Sequence, residues 1–241
     1  MKITQILVPL LLATAAFSIP AHAQVFGVST SATKDSDVFA GAGGTALAWD
    51  FSDFDFSTTT VVNGVTFSGD KDNATTGVDF SYVITSAGGD QNGVNDTALA
   101  STGGSADYAY ILQHLAYGGT PASLTFTGLK AGDSYELQVF AGGGASGPET
   151  LTDSSTIPLP NSPSGTLYYG ASYNPAVAGF INETFTAPVS GTETIGLSGP
   201  GYIIVSAVNL QVVPEPSTYA LMLGGLGCLI FLVRRKAFGA V

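Results

Sequence analysis

The middle of the chain consists of short runs in which hydrophobic and polar residues alternate, separated by Gly, Asn, Asp and Pro. This period of two is typical of β-strands that bury one face. Asn63-Gly64 lies between two runs of β-branched residues, which predicts a hairpin with a two-residue turn. The remaining predicted strands are residues 78–85, 123–127, 134–140, 183–187, 193–198 and 202–212.

Residues 24–212 show no long helical period, and only residues 108–117 fit a short helix. Turn signals recur roughly every ten residues, a spacing typical of β-sandwiches. A stretch of this length suits one such domain. The pattern therefore predicts an all-β protein with a single β-sandwich over residues 24–212.

The N-terminal residues have the pattern of an export signal. Lys2 is followed by an apolar stretch over residues 6–17 and then by Pro20-Ala21-His22-Ala23. Ala21 and Ala23 occupy the two positions at which signal peptidase requires small residues. We expect export through the Sec machinery and removal of residues 1–23 by signal peptidase. A retained membrane anchor is the alternative, although the apolar stretch is short for one.

A second apolar segment, residues 217–233, contains no charged side chain and is followed by Arg234, Arg235 and Lys236. A helix of this length is roughly 25 Å long, near the lower limit for crossing a bilayer. Basic residues favour the cytoplasmic side of such a helix. The sequence predicts a transmembrane helix over 217–233, a stop-transfer cluster over 234–236, a cytoplasmic end over 237–241 and a periplasmic domain.

Pro214-Glu215-Pro216 directly precedes the apolar segment. The two prolines cannot continue a helix, and they hold Glu215 in an extended conformation at the membrane surface. The order of these elements over residues 213–236 resembles the PEP-CTERM sorting signal of Gram-negative bacteria. The resemblance implies that exosortase, a membrane-embedded processing enzyme, recognises Pro214, Glu215 and Pro216. The exported domain would then pass from an inner-membrane-anchored intermediate to the cell surface or extracellular matrix; an ordinary one-pass anchor is the alternative.

The net charge of the predicted domain limits the kinds of molecule that it can bind. The stretch 24–213 contains 17 of the 18 acidic residues, all except Glu215, against Lys34, Lys71 and Lys130, so its net charge is −14. Such a domain is repelled by phosphate backbones, and no nucleic-acid partner is expected. The single Cys228 excludes an intramolecular disulfide and any Cys-rich zinc site.

Candidate chemistry in the domain is sparse. Once the signal peptide is removed, His114 is the only imidazole, and no Gly-x-Ser-x-Gly nucleophile elbow is present at a strand-to-helix junction. We therefore expect a protein that is not an enzyme and has no cofactor, with a structural or surface role for His114. A glycan-active enzyme that uses paired carboxylates is the least favoured alternative.

Two binding alternatives stay open. Asp-x-Asp pairs place two hard oxygen ligands close together, which is common in calcium sites. The candidate calcium ligands are Asp35, Asp37, Asp53, Asp55, Asp70 and Asp72. Aromatic side chains could instead stack on the sugar rings of an extracellular polysaccharide, although core packing explains them equally well. The candidate aromatic residues are Trp49, Tyr108, Tyr110, Tyr117, Tyr168, Tyr169 and Tyr173.

The strand entry from Leu129 through Gly132 to Tyr135 resembles the Leu-x-x-Gly-x-x-Tyr entry of fibronectin type III domains, which recurs in jelly-roll, galactose-binding-like domains. The resemblance implies that the Tyr135 hydroxyl bonds back to the preceding turn. Trp49 is too far upstream for a type III domain, so the jelly roll is favoured. The overall prediction is a non-catalytic surface or matrix protein, associated with exopolysaccharide or biofilm and processed by exosortase.

Overall fold

The computed structural model describes eleven stretches of the chain. They are residues 25–28, 30–51, 59–68, 77–84, 103–119, 122–142, 149–153, 164–167, 178–199, 203–214 and 224–225. The predicted signal peptide, with Ala21 and Ala23, lies outside these residues.

Apart from the two helical residues Gly224 and Gly225, these stretches form fifteen strands, one α-helix and one short 3₁₀-helix. The strands are β1 (Val25–Phe26), β2 (Thr30–Ser31), β3 (Thr45–Asp50), β4 (Thr59–Val62), β5 (Val65–Ser68), β6 (Asp79–Val83), β7 (Ala116–Gly118), β8 (Ala122–Thr127), β9 (Ser134–Ala141), β10 (Glu149–Asp153), β11 (Ser164–Leu167), β12 (Gly179–Thr186), β13 (Glu193–Ser198), β14 (Ile203–Val205) and β15 (Ala207–Val213). The helices are the 3₁₀ turn Asp35–Asp37 and α1 (Ala106–Gln113). The all-β prediction is confirmed for the described residues.

The strands form two main sheets and one small one. The first sheet has eight strands in the order β1-β12-β9-β15-β3-β5-β4, with β2 also paired to β12. The second has the order β11-β10-β13-β8-β6, and β14 pairs with β7 alone. Pairing is antiparallel except for β3 with β5, which is parallel. Strand β15, the last of the described strands, therefore lies in the interior of the first sheet, between β9 and β3.

The two main sheets contribute side chains to one hydrophobic core. Trp49 on β3 contacts Phe80 on β6, with ring centroids 5.5 Å apart, and Phe80 contacts Phe126 on β8 at 5.2 Å. Each aromatic residue that is fully buried in this way stabilises the fold by about 2 kcal/mol. The alternation in β9 agrees with the prediction, because Tyr135, Leu137 and Val139 all lie in this core.

A second hydrophobic cluster covers part of the opposite face of the first sheet. Helix α1 and the β4–β5 hairpin pack there against Phe140 of β9 and Phe180 of β12. Tyr108 of α1 meets the Phe140 ring edge-on at 6.4 Å. The helix begins at Ala106 because the Ser105 hydroxyl accepts a hydrogen bond from the Tyr108 N–H, at 3.1 Å.

The hairpin prediction at Asn63-Gly64 is confirmed. The two residues have φ of 49° and 78° and connect β4 to β5 in antiparallel register. Both angles are in the left-handed region, as a two-residue primed turn requires.

The long strand predicted over residues 202–212 is instead divided into β14 and β15 at Ser206. The Ser206 side chain is fully buried, accepts from the Gly142 N–H at 2.8 Å and donates to the Leu112 carbonyl at 3.4 Å. It thus links the end of α1 to the end of β9, and the strand breaks where these bonds form. The predicted helix over 108–117 is also shifted, because α1 ends at Gln113 and Tyr117 belongs to β7.

No helix among the described residues is long and apolar enough to cross a membrane. The span predicted over 217–233 lies outside them apart from Gly224 and Gly225, which are helical and exposed.

The end of strand β15 as the candidate functional site

The candidate sorting residues begin where β15 ends. Val213 is the last residue of the strand, one position beyond the predicted domain end at 212, and Pro214 follows it. Glu215, Pro216, Arg234, Arg235 and Lys236 lie outside the described residues. The structure therefore shows how the motif is held on its N-terminal side.

Both backbone edges of β15 are occupied. One edge pairs with β9 as far as Val213, which lies opposite Ser134. The other pairs with β3 as far as Gln211, opposite Thr45. Beyond that point the Val212 N–H donates to the Gly44 carbonyl at 3.0 Å. The motif thus leaves the folded domain directly from an interior strand.

A row of polar side chains crosses the first sheet on the face opposite the main hydrophobic core. Gln138 of β9 is central: its amide nitrogen donates to Asn182 Oδ1 at 3.1 Å, and its oxygen accepts from Asn209 Nδ2 at 2.9 Å. The row continues at one end to Glu136, which accepts from Asn182 at 3.0 Å. At the other end Gln211 donates to Asn209 Oδ1, at 2.6 Å. These interactions link three adjacent strands, β12, β9 and β15.

The same polar row fixes the segment that covers it. Gln138 donates to the Asp37 carbonyl at 3.0 Å and accepts from the Phe39 N–H at 2.6 Å. Asn209 donates to the Phe39 carbonyl at 2.8 Å. Gln138 and Asn209 are buried, so their hydrogen-bonding groups depend on these partners rather than on water. Strand periodicity placed Glu136 and Gln138 on one face; it could not show that this face is covered.

Asp35 and Asp37, one of the predicted calcium pairs, accept hydrogen bonds from the backbone. Asp35 Oδ1 accepts from the Ser105 N–H at 2.7 Å, next to the start of α1. Asp37 Oδ2 accepts from the N–H groups of Thr33 and Lys34 at 2.7 and 2.9 Å. Both carboxylates therefore have a structural role in the segment that covers the polar row.

The other calcium candidates, Asp53, Asp55, Asp70 and Asp72, lie outside the described residues. In the part of the chain that the structure describes, no three His, Cys, Asp or Glu side chains form a group that could hold a metal ion. Calcium binding stays a prediction.

Burial perturbs two titratable groups near the polar row. Partial burial raises the pKa of Glu136 above its ordinary value, and the hydrogen bond from Asn182 opposes that shift. Burial also raises the pKa of Tyr108 far above its ordinary value, with the negative charges of Asp37 and Asp35 adding to the shift. Of these two groups, Glu136 is the one whose raised pKa affects stability just above the pH at which a glutamate ordinarily titrates.

Two of the aromatic residues suggested for sugar stacking are in the wrong place for that role. Trp49 is 6% exposed and Tyr108 is 0% exposed, because both fill hydrophobic clusters. Tyr110 is half-buried and contacts the His114 ring, with centroids 4.0 Å apart. The Tyr117 side chain and all of Tyr168, Tyr169 and Tyr173 lie outside the described residues.

His114 is held in a structural contact, as predicted for it. Its Nδ1 lies 2.7 Å from the Tyr110 carbonyl oxygen, one turn earlier in the chain. Its ring also packs on the Tyr110 ring. These two contacts fix the imidazole at the end of α1.

The contact implied by the Leu-x-x-Gly-x-x-Tyr resemblance is present. The Tyr135 hydroxyl accepts a hydrogen bond from the Lys130 N–H at 3.0 Å. The Tyr135 ring stacks on Phe185 of β12 with centroids 5.7 Å apart. The bond closes the turn that precedes β9, the strand paired with β15.

Comparison with known protein families gives a match in the C-terminal tail. Residues 212–236 match the model described as the PEP-CTERM protein-sorting motif. No curated protein matches the chain. The match supports the exosortase-substrate family, with exosortase as the processing partner of an extracellular or surface protein. It also implies export and membrane-anchored sorting before processing.

Proposed function

We propose that this chain is an exported, non-catalytic surface or extracellular-matrix protein whose tail exosortase removes at Pro214-Glu215-Pro216. The observation that carries the proposal is the sorting-motif match over residues 212–236. The position of the motif supports it, because Pro214 directly follows the last residue of an interior strand. A processing enzyme that acts there removes the tail without cutting any of the described strands.

The proposed route uses three segments. The Sec machinery exports the chain, and signal peptidase cuts after Ala23. The helix over 217–233 then holds the chain in the inner membrane, with Arg234, Arg235 and Lys236 on the cytoplasmic side. In this topology the domain is periplasmic until exosortase releases or transfers it.

For the exported domain we propose a β-sandwich of the jelly-roll, galactose-binding-like type. Two antiparallel sheets that share one hydrophobic core support this proposal. The hydrogen bond between Tyr135 and Lys130 supports it locally. The parallel pairing of β3 with β5 departs from a purely antiparallel arrangement.

The molecular role that we propose for this domain is structural, in an exopolysaccharide or biofilm matrix. The contacts of His114 and the burial of Trp49 and Tyr108 support a role without catalysis and without sugar stacking by those two rings. Calcium or saccharide binding elsewhere on the domain is the alternative to an inert matrix role.

The test compares the full-length chain in cells that contain exosortase with the same cells after its deletion. We expect the tail, 25 residues beyond Pro216, to be lost only where exosortase is present. The readout is the mass of the chain recovered from membranes and from medium. Identical masses in the two strains would contradict the proposal.

A further inference from the structure

The path of the chain out of β15 limits where the tail can be cut. Processing enzymes that cut within a chain bind it in an extended form and use its free backbone groups. In β15 these groups are already paired with β9 and β3, up to Val213 and Gln211 respectively. Exposing them requires opening an interior strand, which belongs to the most stable parts of a fold.

The turn over residues 41–44 pairs with the end of β15, next to the point where the chain leaves the sheet. Its ends are joined by the Gly44 N–H, which donates to the Gly41 carbonyl at 3.1 Å. The Gly44 carbonyl in turn accepts from the Val212 N–H at 3.0 Å, beyond the last pair with β3. The turn thus extends the paired edge of β15 by one residue.

Gly43 lies closest to the departing chain. A Cβ built on Gly43 would overlap the Val212 carbonyl oxygen and would lie 3.1 Å from Pro214 Cδ. Only a residue without a side chain lets the backbone approach this closely. The turn therefore contacts the residues on both sides of Val213 and sets the direction in which Pro214 leaves the sheet.

That direction matters because little chain separates the strand from the predicted membrane span. Three residues, 214–216, connect Val213 to Ser217, so the Cα atoms of Val213 and Ser217 are at most roughly 14 Å apart. With so short a connection, a shift of Pro214 changes the position of Glu215 relative to the membrane surface. A membrane-embedded enzyme would meet the motif in a different place.

We propose that processing breaks a peptide bond on the C-terminal side of Pro214, and that Gly43 is a positioning residue for this reaction. The proposal rests on the proposed function. Strand pairing protects the backbone of β15 through Val213, and the turn over 41–44 presents the chain beyond it. In hydrolysis, water supplies a hydroxyl to the carbonyl carbon of the broken bond. The domain gains a C-terminal carboxylate, and the proton goes to the new amine of the tail.

The first experiment determines the C-terminus of the processed protein. The full-length chain is expressed with exosortase, and the intact mass of the product is measured. We expect a C-terminus at Pro214 or at a later residue. If the domain is transferred to an acceptor other than water, the product should be heavier by the mass of that acceptor. A product that ends at Val213 or earlier would overturn this proposal alone. Failure to lose the tail at all would instead overturn the proposed function, and this proposal with it.

The second experiment tests Gly43 with a matched control. Gly43→Ala introduces a clash with the Val212 carbonyl. Gly128→Ala introduces a comparable clash with the carbonyl of Gly77, which precedes β6, and it also strains a backbone with φ of +75°. We expect both variants to melt at lower temperatures than the wild type. Only Gly43→Ala should slow tail removal several-fold in a pulse-chase measurement. Equal processing rates would show that Gly43 has no positioning role.

A milder variant keeps the test decisive if Gly43→Ala does not fold. Gly44 has φ of +87° and open space around its Cβ position, so Gly44→Ala strains the same turn without a clash. Gly132→Ala is its control, since Gly132 has φ of +86° and equally open surroundings. We expect slower processing for Gly44→Ala than for Gly132→Ala, and equal rates would contradict the proposal.

Discussion

Residues 25–213 and residues 214–236 encode their roles in different ways. In the first region the key pairs are distant in sequence: β15 pairs with β3 and β9, and Asn209 bonds to Phe39. In the second region three short elements follow one another, and the sorting-motif match covers them as a continuous segment. The fold thus depends on long-range contacts, whereas the sorting signal is local and is recognised by another protein.

Because of this difference, we expect substitutions in the domain and in the tail to have separate effects on stability and on processing. Changes within the domain alter its free energy of unfolding and leave recognition of the motif intact, except near the exit of β15. Changes in the tail alter processing and leave the domain stable. The following predictions test that separation in order of decreasing effect on stability.

The largest effect on stability is expected for Gln138→Ala. Gln138 is 1% exposed and bonds to Asp37, Phe39, Asn182 and Asn209. Removing it leaves several buried groups without partners, which should cost about 3 kcal/mol. Urea unfolding of the full-length chain in detergent measures the loss.

Thr66→Ala, at an exposed position on β5, is the control for this variant and should change stability by less than about 0.5 kcal/mol. Processing of both folded variants by exosortase should match the wild type. A processing defect in Gln138→Ala at a temperature where it is folded would break the proposed separation.

A smaller loss is expected for Asp37→Ala. The Asp37 carboxylate accepts from two backbone N–H groups and from the Thr33 hydroxyl at 3.3 Å. Its removal should cost about 1–2 kcal/mol. The loss should be equal in EDTA and in millimolar calcium, as measured by thermal melting. A loss that grows with calcium would instead support the predicted calcium site at Asp35 and Asp37.

Much of the local structure could be predicted from the sequence. The hairpin at Asn63-Gly64 follows from residue types that accept positive φ, and the faces of β9 follow from strict alternation. The break at Ser206 could not be predicted, because it depends on hydrogen bonds to Gly142 and Leu112 from distant segments. The sequence around Ser206 is apolar on both sides and resembles one continuous strand.

The candidate site was predictable only in part for the same reason. The sorting signal occupies one short stretch, in which the apolar segment and the basic residues follow Pro214, Glu215 and Pro216. The order of these elements alone therefore indicated a sorting signal. The role of Gly43 could not be predicted, because its contact with Val212 and Pro214 brings together residues far apart in the chain. Asp35 and Asp37 had the residue types of a cation site, whereas their described partners are backbone N–H groups and the Thr33 hydroxyl.

The smallest effect on stability is expected for Glu136→Gln, and it should depend on pH. Burial raises the pKa of Glu136 in the folded state, so between the ordinary and the raised pKa the folded state holds more protons than the unfolded one. The contribution of Glu136 to stability therefore falls as pH rises through this window. Glutamine mimics the protonated side chain and can still accept the bond from Asn182.

We accordingly expect Glu136→Gln to melt at a higher temperature than the wild type at neutral pH. The difference should disappear below the ordinary pKa of a glutamate. Thermal melting at pH 7 and pH 3.5 measures both values. A difference that is the same at the two pH values would show that ionisation of Glu136 is not its cause.

The most direct measurement of the central claim replaces Pro214, Glu215 and Pro216 together with Ala in the full-length chain and follows processing in cells that contain exosortase. Export and membrane retention should persist, because the apolar segment and Arg234, Arg235 and Lys236 are unchanged. We expect the uncut, anchored form to accumulate, heavier than the wild-type product by the mass of the tail. Removal of the tail at the wild-type rate would contradict recognition of Pro214-Glu215-Pro216 by exosortase, and the segment would then be an ordinary membrane anchor.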